Sequence, residues 1–125
     1  MKTYDPAKAP DTKAWLQLDE AKRTLLVENY HRTHGSELPS LRVHAVMHTI
    51  IENQLAENDE AVVRALARLV RQGLARHDAI HAIASVLAEH IFDRLKAADG
   101  PESANARYHA QVERLDATQW WKGAV

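Results

Sequence analysis

This 125-residue sequence predicts an all-α fold, a compact bundle of four main helices followed by a C-terminal helix. Three observations carry that prediction. Alanine and leucine are abundant, β-branched runs are scarce and only four glycines occur, a composition that favours helix over strand. Apolar residues recur at three- and four-residue spacing through most of the chain. Capping and stopping residues such as Asp11, Asp19, Gly35, Gly73 and Pro101 fall between the periodic stretches.

Residues 1–10 contain two prolines and little apolar character, so they read as an extended arm. Asp11 caps a short helix to Leu16, in which Trp15 and Leu16 anchor the arm. Asp19 caps the first long helix, which runs to about His34 and stops at Gly35. Leu25, Leu26 and Tyr30 give that helix its buried side, while Glu28 and His31 share a face. After GSELPS, Pro39 or Ser40 opens the second helix, Leu41 to Leu55, with Arg42, Thr49 and Asn53 turned to solvent. Asn58 or Asp59 opens the third, with Val62, Leu66, Leu69 and Val70 inward and Arg64, Arg68 and Arg71 on a solvated face. Gly73 ends it. The fourth helix is apolar on most sides through Val86 and belongs at the centre of the bundle. The run ADGPES stops it, and a last helix from Pro101 presents Ala104, Tyr108, Val112 and Leu115 on one side. Residues 116–125 form a tail whose Trp120 and Trp121 pack on the body or on a partner. The length suits one domain, 1–125.

Charge and composition exclude several classes of function. A formal net charge of −1, with no dominant basic cluster, argues against nucleic acid as a partner. Without cysteine there are no disulfides, iron–sulfur clusters, thiolate zinc sites or thiol nucleophiles. The start MKTYDPAKAPDTK lacks a signal-peptide core, and no stretch suits a bilayer. A soluble cytoplasmic protein without a membrane partner is expected.

The chemistry concentrates in two stretches, LRVHAVMHTIIENQL and LARHDAIHAIASVLAEHIFDRL. Each carries two histidines four residues apart, His44 with His48 and His77 with His81, and Glu52 extends the first series. On a helix that spacing stacks side chains on one face. At about 100° per residue, His44 lies between Ile51 and Leu55. His77 and His81 share an arc with Ile80, Ala84, Leu87, Ala88, Ile91 and Leu95, and small Ala84 and Ala88 allow a neighbouring helix to come close. Both pairs therefore point inward, where an unsatisfied ring nitrogen costs on the order of 1–3 kcal/mol.

These residues predict a mononuclear transition-metal site between the second and fourth helices, held by His44, His48, His77 and His81. Glu52 is either a further ligand or an acceptor behind one. Asp78 caps its helix or orients a ligand histidine, and His31 is a marginal fifth ligand. Zinc comes first for this donor set; iron, manganese and nickel remain open. A site closed by protein is structural, whereas one retaining water could do hydrolytic or redox chemistry. HDAIH resembles the H-E-x-x-H helix of zinc metallopeptidases, with aspartate in the glutamate position and without the sheet of those enzymes. Glu28 and His31 supply one E-x-x-H pair of the kind used by di-iron bundles, but no second pair exists. Haem ligation by His44 or His81 is a lesser alternative that the bundle could hold, without a C-x-x-C-H attachment site. The competing reading is a helical interaction module with structural histidines, meeting a partner or forming a homodimer. His34, His90 and His109 carry no assigned role.

The stretches YDPAKAP, LVENYHR, HAVMHTIIENQLA and GLARHDAIHAIASVLAEH resemble a group of small, uncharacterised bacterial helical proteins. Those carry an H-x-x-x-H-x-x-x-E-N-Q element followed by H-D-A-x-H-A. The resemblance implies no established activity, only that the two histidine helices form one unit.

Overall fold

The computed structural model describes residues 1–34, 40–96 and 100–118, the side chains of Asp93 and Lys96 apart. Among the described residues there are six helices and no strand. They are α1 Thr12–Gln17, α2 Glu20–Thr33, α3 Leu41–Ala56, α4 Glu60–Arg71, α5 Arg76–Lys96 and α6 Pro101–Arg114. The expected all-α architecture is therefore present, with α1 as the short helix and α6 as the C-terminal one. No helix among the described residues is long and apolar enough to cross a membrane.

Local chemistry sets the boundaries. Asp11, Asp19 and Asp59 each accept the backbone N–H three residues on, from Ala14, Lys22 and Val62, satisfying donors that a helix start leaves open. Ser40 does the same for Val43 at the head of α3. Two turns close on left-handed residues. After α4, Gly73 at φ 107° lets its own N–H reach the Val70 carbonyl while Leu74 N–H reaches Leu69. After α3, Asn58 at φ 59° does the equivalent, with Asn58 N–H on Leu55 and Asp59 N–H on Gln54. Asn58 thus terminates α3, and Asp59 alone caps α4. The stop expected at Gly35, the start considered at Pro39, and Trp120 and Trp121 all lie outside the described residues.

The helices enclose two apolar clusters that share α3. One gathers Tyr4 of the arm, Trp15 of α1, Leu26 and Val27 of α2, and Ala45 of α3. The other joins Ile51 of α3 to α4, α5 and α6 through residues such as Val62, Leu69, Ile80, Ile83 and Val112. Helix α5 packs against α3, α4 and α6, the central place its apolar character predicts. Ala104, Tyr108, Val112 and Leu115 of the C-terminal segment are buried as expected.

Several orientations differ from expectation. Thr49 is buried rather than solvent-facing, and Asn53 is half-buried against Trp15, because α3 has neighbours on opposite sides. Its exposed positions are Arg42, Val43 and Val46. On α2, Val27 rather than Leu25 joins the core, and on α4 Ala65 takes the place expected for Val70. Leu16 is exposed beside fully buried Trp15. The inward arc of α5 ends early. Ala88, Ile91 and Leu95 are exposed, and Ala79 and Ala82, fully buried, are the small residues in the interior. Arg68 does not simply face solvent. Its guanidinium donates to the Val112 and Leu115 carbonyls at 2.8–3.0 Å, satisfying acceptors at the C-terminus of α6.

Candidate metal centre

Three helices deliver five imidazoles to one place. His44 and His48 stand one turn apart on α3, His77 and His81 one turn apart on α5, and His31 comes from the last turn of α2. His31 Nε2 lies 3.2 Å from His44 Nε2 and 3.3 Å from His77 Nε2. His44 Nε2 lies 3.0 Å from His81 Nε2. Ligand-capable atoms of His31, His44, His48 and His81 all fall within 4.8 Å of one another. Four histidines this close could hold a metal ion. His31 and His48 are buried, and His44, His77 and His81 half-buried.

Hydrogen bonds fix which nitrogen some of these rings present. His31 Nδ1–H donates to the Val27 carbonyl one turn back, at 2.8 Å, leaving Nε2 as the lone-pair atom toward His44 and His77. His48 Nε2 sits 2.9 Å from the Tyr4 hydroxyl, while His48 Nδ1 is buried without a hydrogen-bond partner. A neutral imidazole has one N–H to give. Since His31 spends its own on Val27, His44 and His77 must both donate to it, and the single hydrogen on His44 Nε2 is then shared with His81. Protons alone therefore serve this cluster poorly.

Every ring in the cluster resists protonation. Burial is the first cause, and neighbouring imidazoles, which would repel a second positive charge, add to it. His44 is lowered to about 4 and His81 to about 3. His48 lies well below the ordinary histidine value, and His31 and His77 are also lowered. At His77 the carboxylates of Asp78 and Asp5 work against that trend. Asp78, half-buried in the first turn of α5, acts on the cluster through this charge.

Glu52 takes another position. Both its oxygens are engaged: Arg76 grips them with two contacts of 2.8 Å, and the Tyr4 hydroxyl donates to Oε2. Burial, then the adjacent Glu52 carboxylate, raise the Tyr4 pKa well above the ordinary phenol value and keep it protonated. Glu52 thus meets the histidines through Tyr4. Glu28 does not join its sequence neighbour His31; it pairs with Arg32 at 3.0 Å and Arg42 at 2.8 Å. The remaining described histidines have other company. His34 stacks on Tyr30, His90 lies beside Tyr108, and His109 bonds Asp59 at 3.0 Å.

Sequence reasoning left His31 at the margin, although Val27 and His31 are one turn apart on the buried side of α2. It missed Tyr4 and Arg76 altogether.

Residues 8–114 match a family described as a domain of unknown function, DUF1841. The chain belongs to this family. That agrees with the expected kinship to small uncharacterised proteins, and the match spans all six helices. No curated protein and no solved structure matches the chain.

Proposed function

We propose that this chain binds one transition-metal ion among α2, α3 and α5. His31, His44, His48 and His81 act as ligands, with His77 as a fifth. The observation that carries the reading is the convergence of ligand-capable imidazole nitrogens, together with the buried, unpartnered His48 Nδ1. A cation can engage several of these nitrogens at once, displacing the hydrogens that pair them poorly. The spacing supports it. At zinc–nitrogen distances of about 2.0–2.1 Å, tetrahedral ligand atoms sit about 3.3–3.4 Å apart, close to the 3.0–3.3 Å separations among the Nε2 atoms. The depressed pKa values point the same way, because a metal needs neutral imidazole.

Zinc is our first assignment, since neutral nitrogen donors suit it; iron, manganese and nickel are to be tested beside it. Four histidine ligands would already close a tetrahedral, structural centre. A site with one of these positions left to water could do hydrolytic chemistry. Glu52 and Asp78 act as outer partners.

The test is elemental analysis of the untagged protein, followed by calorimetric titration of the metal-free chain. We expect about one ion per chain. Absence of metal as purified, together with no uptake of zinc, iron, manganese or nickel, overturns the proposal. One observation favours a second reading as an interaction module: Phe92 and Leu95 near the end of α5 are 58% and 82% exposed. Sedimentation of the wild type against Leu95→Asp tests it, and a concentration-dependent dimer lost in the variant would support it.

A further inference from the structure

We propose that Tyr4 is a positioning residue for this centre, holding His48 in the tautomer that presents Nδ1 to the ion. The proposal rests on the metal reading above and adds to the centre a residue from outside the helices.

The argument is one of hydrogen counting. A phenol has a single hydrogen. That of Tyr4 goes to Glu52 Oε2, whose carboxylate is gripped from the other side by Arg76. With its hydrogen committed, the Tyr4 oxygen can only accept from His48 Nε2, 2.9 Å away. The His48 hydrogen therefore sits on Nε2, and Nδ1 carries the lone pair. Nδ1 is the atom that is buried without a partner. His31 is set in the opposite sense, because its Nδ1–H is spent on Val27 and Nε2 faces the cluster. A ligand histidine commonly donates its other N–H to an outer partner that fixes tautomer and orientation. Val27 does this for His31 through the backbone, and Tyr4 does it for His48.

Packing and hydrogen bonds hold Tyr4 in place. Its side chain is buried, and its ring packs on Trp15 and Tyr30 at centroid distances of 5.8 and 6.3 Å. Arg76, while holding Glu52, also donates to the carbonyls of Pro6 at 2.9 Å and Lys8 at 3.3 Å. One guanidinium thus fixes both the carboxylate that Tyr4 addresses and the backbone just beyond Tyr4.

The experiment uses the full chain with nitrogen-15 in its histidines, metal-free and zinc-loaded. Long-range proton–nitrogen correlation reports which nitrogen of each ring carries hydrogen, lone pair or metal. In the metal-free chain we expect His48 as the Nε2–H tautomer. In the loaded chain we expect zinc at His48 Nδ1 and at His31 Nε2. Tyr4→Phe keeps the ring packing and removes the hydroxyl. It should mix the two His48 tautomers and weaken zinc binding about 10- to 100-fold, with the metal-free helical signal unchanged. Nδ1–H on His48 in the wild type, or zinc at its Nε2, overturns the proposal. So does a Tyr4→Phe chain with unaltered tautomer and affinity. Failure to take up any metal overturns the metal reading separately, and the metal-free tautomer then still decides the role of Tyr4.

Discussion

His109 and the histidine cluster solve the same problem in opposite ways. His109, on α6, meets the Asp59 carboxylate at 3.0 Å on a partly open surface, beside the Arg64–Glu113 pair. Arg64 there has an anion in Glu113, His109 has a carboxylate to bond, and water screens both. Across α3, the five imidazoles meet one another, and the nearest buried carboxylate, Glu52, is already held by Arg76. A histidine beside a carboxylate has an acceptor for its N–H. Histidines beside histidines have too few well-placed partners for their ring nitrogens and are all reluctant cations, an arrangement that suits a metal. Charge balance around the ring, more than the number of rings, separates the two regions.

The largest effect should come from removing a proposed ligand. His48→Ala and His81→Ala should each cost more zinc affinity than the roughly 10- to 100-fold attached to an outer partner. Calorimetric titration reads it, and equal affinity in either variant would mean that the cluster is not the binding site.

Next comes the ion pair behind the cluster. Arg76→Ala strands Glu52, which is 2% exposed, and removing one partner of such a pair typically costs about 3–5 kcal/mol. Urea unfolding should show this loss. Arg64→Ala, which breaks an exposed pair with Glu113, should leave the midpoint essentially unchanged. Equal losses would erase the contrast between the two sides of α3.

Acid should weaken the histidine cluster. The cluster histidines have folded pKa values below the unfolded reference of about 6.5, so unfolding takes up protons. The stability they contribute is present above that reference and falls as pH drops toward about 4 for His44 and about 3 for His81. Melting temperatures of the chelator-treated chain should therefore decline from pH 7 downward. Bound metal should hold the chain to lower pH, since protons must then displace it. Superimposable curves with and without metal would favour purely structural histidines.

The smallest effect is expected at His109. His109→Ala should change stability by less than about 1 kcal/mol and leave metal binding untouched, as denaturation and titration together would show. A loss of metal there would place an ion on the wrong side of α3.

The fold was legible because its signals are local. Caps at Asp11, Asp19, Ser40 and Asp59, the glycine turn after α4 and the proline of α6 act within a few residues of themselves. The paired histidines of α3 and α5 were legible for the same reason, since a spacing of four fixes a common face. Faces were harder. Thr49 reads as a solvent residue until α3 acquires neighbours on both sides, and its hydroxyl then turns back to the Ala45 carbonyl at 2.7 Å. The rest of the site depends on pairings far apart in sequence. Tyr4 meets His48 and Glu52 across 44 and 48 residues, from an arm with no periodicity. Arg76 looks like an ordinary charge at a helix start, and only the folded chain places Glu52 against it. His31 stands between the two cases: its depth follows from Val27 one turn earlier, but the imidazoles it meets lie on other helices.

Trp15 has an optical consequence. Its indole is fully buried, donates to Asn53 at 2.9 Å and packs against Tyr4, whose ring meets His48 edge-on at 5.5 Å. Its emission should be blue-shifted, like that of an indole shielded from water. Zinc has a filled d shell and quenches little, whereas nickel at the histidines should dim Trp15 from two rings away. Exchanging Trp120 and Trp121 for phenylalanine leaves Trp15 as the sole indole of the chain. Such a variant would report occupancy of the centre by its own fluorescence, without a dye or a tag.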